Sequence, residues 1–139
     1  MQDCTPRTLP CPSDVYKQLK NPSQPVKDAT FYREIVGSLI YLMYCTRPDL
    51  AFVVNILSQH MSSPFNSHMN IAMGVLRYLK YTLHYELKFV KSKENLNIYG
   101  FTDSDFAASA DRKSTSGYCF GLIQNSALIS WRSKNQKLL

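Results

Sequence analysis

The spacing of apolar residues changes once along this 139-residue chain, near Tyr85, and that change restricts the fold more than any other feature. Upstream, apolar side chains return every three or four residues, the period of a helix with one buried face. Downstream they alternate, the period of a strand. The chain therefore reads as α+β, with helices first and a sheet after them. Its longest apolar stretch, Ile35 to Cys45, contains Gly37 and Ser38 and is far shorter than the ~20 residues of a membrane helix.

From Thr30 to Tyr44 the apolar stripe is Phe31, Ile35, Leu39, Leu42 and Met43, with Thr30 as the start. Gly37-Ser38 inside that helix costs about 1 kcal/mol against alanine, which points to a close-packing contact there. A second helix follows Arg47. Pro48 suits its first position, and Asp49 faces the positive end of its dipole. Leu50, Val53, Val54, Leu57 and Met61 form its inner face, and Ser62-Ser63-Pro64 closes it. A third helix is expected from about Ser67 to Thr82, with Ala72, Val75, Leu76, Leu79 and Leu83 inward.

Strand-like segments follow at Glu86 to Lys91, Leu96 to Asp103, Ser116 to Gln124 and Ala127 to Arg132. Ser92 to Asn95 reads as a turn, Asp103 to Thr115 as a loop and Asn125-Ser126 as a hairpin turn. The last three strands make a three-stranded antiparallel meander. Its apolar face needs a cover, and no helix follows residue 132. The sheet is then either cut short or completed by the upstream helices. Residues 1–29 hold five of the seven prolines, Pro6, Pro10, Pro12, Pro22 and Pro25. They read as a linker with one helical turn at most between Ser13 and Lys20.

Familiar catalytic signatures are missing. Cys4, Cys11, Cys45 and Cys119 form no CxxC pair or zinc module. They read as reduced thiols, with Cys45 and Cys119 buried. His60, His68 and His84 make no HExxH pattern, and there is no GxSxG or Walker loop. The opening residues form no signal peptide, so an intracellular location, cytoplasmic or nuclear, is expected.

The formal net charge is +6, and residues 61–95 carry five cations against two acids. Arg77, Lys80, Tyr81 and His84 share one face of the third helix. That face is either an ordinary solvated surface or one that tracks nucleic-acid phosphates, with an aromatic for stacking. Arg112-Lys113 is an adjacent basic pair with the same two readings.

Several blocks carry a family resemblance. Residues Phe31 to Leu42 resemble the YRxxVGSLxYL block of copia-type retrotransposon polyproteins, and Thr46-Arg47-Pro48-Asp49-Leu50 resembles their TRPDI block. Val75 to Thr82 is similar to VLRYLKGT, with Tyr81 where glycine is usual. Tyr99 to Ala107 resembles GYSDADWAG, with Phe106 for tryptophan. Arg112 to Tyr118 reads RKSTSGY without change, and Ile129 to Gln136 resembles ISWxSKKQ. The blocks run in family order along the whole chain.

After the linker at 1–29, the resemblance implies a helical thumb or connection region of reverse transcriptase at 30–91 and a truncated ribonuclease H-like domain at 92–139. It makes Asp103 a vestigial catalytic and metal-ligand position of an incomplete site. Asp105 shares its strand face if the strand reaches that far. In the full-length family magnesium is the cofactor, with two ions held by carboxylates and substrate phosphate. None is expected to act in this chain alone, because the polymerase aspartates and most ribonuclease H carboxylates have no counterpart in it. Hydrolysis by the isolated chain is not expected. The partners implied are nucleic acid, as an RNA–DNA hybrid held weakly, or else a protein docked on the uncovered sheet, and no membrane.

Overall fold

A computed structural model describes residue 5 and residues 7–20, 23–91, 97–105, 114–122 and 126–136. The order is α1 (Val15–Lys20), α2 (Ala29–Cys45), a 3₁₀ turn (Pro48–Leu50), α3 (Ala51–Ser58), α4 (Asn66–Tyr81), β1 (Tyr99–Asp105), β2 (Thr115–Gly121) and β3 (Leu128–Asn135). The fold is α+β, with the three strands antiparallel in the order β1-β2-β3.

Asp28, not Thr30, starts α2: its carboxylate accepts the Phe31 N–H at 3.0 Å, satisfying one orphan donor of the first turn. The buried stripe of α2 is Tyr32, Ile35, Val36 and Leu39. It differs from the expected one at both ends: Phe31 is about half exposed while Tyr32 is inside, Val36 joins the stripe, and Leu42 and Met43 are only partly buried. Tyr32 has a reason to be there: its hydroxyl donates to the Leu57 carbonyl of α3 at 2.8 Å, so the ring buries without stranding a polar atom. The close-packing contact expected at Gly37 is absent. Gly37 is exposed, and a Cβ added there meets nothing within 4 Å. Gly37→Ala should therefore stabilise the chain by about 0.5–1 kcal/mol through helix propensity. A rise in the urea midpoint at unchanged slope is the check; a fall would show an unseen contact.

The core lies among α2, α3 and α4, where Leu39, Leu50, Leu57, Ile71 and Val75 are fully buried. α3 ends at Ser58, earlier than its hydrophobic pattern suggests, and α4 ends at Tyr81. Leu83 falls beyond that end and is 81% exposed, not inward.

Part of the expected linker packs. α1 has six residues, more than the single turn expected. Its Val15 is buried, and Cys11, Tyr16 and Leu19 lie against the helical core. Farther on, Pro25 bridges Phe65. The Val26 N–H donates to the Pro64 carbonyl, and the Asn66 N–H to the Gln24 carbonyl. Prolines tolerated at turns and edges do not prevent this docking.

The strand expected at Glu86 to Lys91 does not form. One backbone bond, from the Ala127 N–H to the Lys88 carbonyl, ties the segment to the start of β3. Phe89 and Val90 stay exposed. A lone apolar run with no ladder beside it has no reason to become a strand.

In the meander, Asp103 faces Gly117 and Asp105 faces Thr115, while Cys119 faces Trp131 and Tyr118 faces Arg132. Two cross-strand pairs set an aromatic ring over a glycine. Phe120 lies over Gly100 and Tyr99 over Gly121, where any Cβ would strike the ring. The sheet docks on the helices through β3. Trp131 Nε1 donates to the Met43 carbonyl at 2.8 Å. Asn55 donates its amide to Asn135 at 3.2 Å, and Asn135 donates to Gln59 at 3.1 Å. Upstream helices thus cover part of one sheet face, and β3 runs on to Asn135 because its end is anchored there.

Cys45 is exposed, against expectation, while Cys11 and Cys119 are partly buried. Burial pushes the Cys11 thiol up to about 11, with Arg7 opposing and Asp14 adding. Cys4 and the Ser92–Asn95 turn lie outside the described residues, as does Asn125 of the expected hairpin turn. Among the described residues no helix is long and apolar enough to cross a membrane.

Candidate functional site

β1 extends through Asp105, so the two-residue period puts Asp103 and Asp105 on the same sheet face. That face looks toward the 3₁₀ turn and the start of α3. Asp103, Asp105, Thr115, Pro48, Asp49 and Phe52 are among the residues lining one cleft there. Both strand aspartates are exposed, and Asp103 accepts the neighbouring Ser104 N–H at 2.8 Å.

The third carboxylate of the cleft, Asp49, is already committed. Arg47 Nε and Nη2 donate to its two oxygens at 3.0 and 2.8 Å, and the Tyr78 hydroxyl donates at 2.8 Å. Burial pushes the Asp49 carboxyl up, but these hydrogen bonds and the guanidinium charge outweigh it and hold it below the ordinary range. Its bond to Asp49 raises the Arg47 pKa further, against burial.

Arg47 itself is buried. Its remaining donors reach the Thr82 carbonyl at 3.3 Å and the Thr82 hydroxyl at 2.8 Å, and it stacks over the Tyr78 and Tyr85 rings at 5.3 and 5.6 Å. Asp49 thus serves as the counter-ion of a buried arginine, a role the sequence reading missed when it placed Asp49 against a helix dipole. The Arg-Pro-Asp spacing was the available signal, since a two-residue step round a tight turn lets a fork meet a carboxylate.

Two strand carboxylates with a third tied to arginine do not fit a magnesium centre, which takes near-octahedral oxygen coordination. Among the described residues no group of three or more His, Cys, Asp or Glu side chains could hold a metal ion. Asp111 lies outside the described residues.

Of the basic face, α4 brings Lys80 and Tyr81 together, with the ammonium 5.6 Å from the ring centroid. His84 lies past the helix end, edge-on to Tyr85 at 4.9 Å. Arg77 is half-buried with its Nε enclosed. Arg112 and Lys113 lie outside the described residues. A second feature unread in the sequence is the His60–His68 stack, with ring centroids 4.0 Å apart.

No family model and no solved structure matches the chain. Curated relatives do. It is 44% identical over 107 residues to secreted RxLR effector protein 161 of Plasmopara viticola, covering 76% of this chain and 73% of that protein. It is 45% identical over 111 residues to the retrovirus-related Pol polyprotein from transposon RE2 of Arabidopsis thaliana, covering 79% of this chain. The chain belongs to the copia-type retrotransposon Pol family. An uncharacterized mitochondrial protein of Arabidopsis thaliana is 37% identical over 137 residues, or 98% of the chain. The Pol-family chain spans about half of that protein, at 55%, and 7% of the RE2 polyprotein. Its helices and its meander fall within one continuous match to the mitochondrial relative.

Proposed function

We propose that this copia-type Pol segment joins the end of a reverse transcriptase, its thumb or connection helices at 30–91, to a ribonuclease H-like sheet at 92–139. In this reading it holds an RNA–DNA hybrid weakly and does not cleave it alone. The observation that carries the reading is the cleft at β1. Asp103 and Asp105 stand on its face, while Asp49 is held by Arg47 and Tyr78. Two exposed carboxylates lack the ligand set that places two metal ions on a phosphodiester. Lys80 with Tyr81 on α4, Arg77 beside them and the Arg112-Lys113 pair supply sequence-independent phosphate attraction.

A salt titration of hybrid binding tests this. Affinity should fall linearly with salt on logarithmic axes, and Lys80→Ala should reduce the slope by about one. With magnesium present, neither the chain nor Asp103→Asn should cut the hybrid. Metal-dependent cleavage lost in Asp103→Asn would overturn the inactive reading. Absence of binding at low salt would leave a second reading, a small module that docks a protein on its uncovered sheet face. One finding favours that alternative: a relative of which the chain covers 73% is named a secreted effector.

A further inference from the structure

The sheet face turned away from the helices differs chemically from the cleft. By alternation it presents Thr102 and Ser104 from β1, Ser116, Tyr118 and Phe120 from β2, and Ser130, Arg132 and Lys134 from β3. None of these is acidic. β3 is one of the two edge strands of the sheet, and beside it runs a groove lined by Tyr44, Tyr118, Ile129, Ser130, Trp131 and Arg132. Tyr44 comes from the last turn of α2 and is 62% exposed; Tyr118 is 37% exposed.

Tyr118 is braced. Phe120 lies 5.4 Å away on the same strand and is itself seated over Gly100. A ring already held in place loses little entropy when something stacks on it. Arg132 sits directly across from Tyr118 in register, and Lys134 follows at a rise of about 7 Å along the strand. A phosphodiester chain lying along β3 would meet two cations, Arg132 and Lys134, set two residues apart. An acidic peptide could pair with the cations, but its carboxylates offer no aromatic ring to the two tyrosines.

We propose that this groove binds unpaired nucleotides, with a base against Tyr118 and Tyr44 and the adjoining phosphates on Arg132 and Lys134. The surface and the ligand both differ from the hybrid contact at α4, so the inference goes beyond that reading. Aromatic stacking and a cationic track together suit single strands without sequence preference.

Trp131, the chain's single tryptophan, lines the groove and serves as the reporter. Titration of the full chain with oligothymidylate should quench its emission. An abasic oligomer of equal phosphate number should bind about tenfold more weakly, the scale of one lost stacking contact. Tyr118→Ala should show the same loss, while hybrid binding and its dependence on Lys80 stay unchanged. Arg132→Gln should lower the salt slope by about one. Tyr118→Phe should bind as the parent does, and a dispersed proton spectrum shows that the alanine variant is folded. Equal affinity for the two oligomers, unaltered binding in Tyr118→Ala, or no oligothymidylate binding at low salt would each overturn the proposal, the last leaving a protein as the occupant.

Discussion

Arg47→Leu should lower the stability of the chain by about 3 kcal/mol, the lower end of the range for removing one partner of a buried ion pair. The lower end applies because the Asp49 side chain keeps 30% of its surface exposed while that of Arg47 keeps 7%. The loss comes mainly from what is left behind. Asp49 would retain the Tyr78 hydroxyl and its own backbone N–H but no cation, and the Thr82 carbonyl at the end of α4 would lose its guanidinium donor. Arg47→Lys should recover little, since an ammonium cannot fork to a carboxylate and to Thr82 together. A double variant, Arg47→Leu with Asp49→Leu, should recover a large part of the loss because no charge remains unpaired. Urea unfolding of the four proteins measures this. A loss below about 1 kcal/mol in Arg47→Leu would mean the pair behaves as a surface salt bridge. The same pair predicts an acid limb. The depressed Asp49 carboxyl stabilises the fold above its unfolded value near 4, and that contribution disappears as pH falls through the lower folded value.

His68 should produce a separate loss at milder acidity. It is buried at the start of α4, and its Nδ1 accepts the Phe65 N–H at 2.9 Å, so the neutral ring carries its proton on Nε2. Burial, with His60 stacked beside it, lowers its pKa from 6.5 to about 4. The unfolded chain therefore binds the proton first. The stability due to the neutral ring is fully present above about pH 6.5 and declines as pH falls toward 4. The loss across that window should reach roughly 3 kcal/mol, from the linkage of about 1.4 kcal/mol per pH unit. His68→Gln keeps an acceptor at the third helical position, where glutamine commonly closes a capping box. It should flatten the profile between pH 6.5 and 4 and leave the Asp49 limb in place. An unchanged profile in that variant would remove His68 from the account.

The helical half was legible because its signal is local. α2 and α4 lie within two residues of the spans their periodicity suggests, and the meander has its three strands in the expected order. Errors arose where a partner far along the chain decides. Tyr32 displaces Phe31 because Leu57 offers an acceptor, and Gly37 faces open space instead of a neighbour. The Glu86 to Lys91 segment has strand-like residues but no ladder. Within the candidate site, alternation alone placed Asp103 and Asp105 together. The capture of Asp49 was hidden because Tyr78 and Thr82 stand about 30 residues away, and no period connects them. The groove at β3 was equally hidden, since Tyr44 and Tyr118 come to line one groove only through the docking of the sheet.

The two glycine–aromatic pairs bear on how the sheet avoids mispairing as it forms. Nine residues separate Asp105 from Thr115, too many for a tight turn to dictate how β1 and β2 align. A slip of one residue would set Phe120 against Tyr99 or Phe101 in place of Gly100, and would turn every side chain of the strand to the wrong face. The space left by each missing Cβ therefore acts as a template that admits one alignment. Alanine at both glycines should yield a hairpin that still collapses but samples competing pairings, so these two absent methyl groups do the proofreading that the connection between the strands cannot.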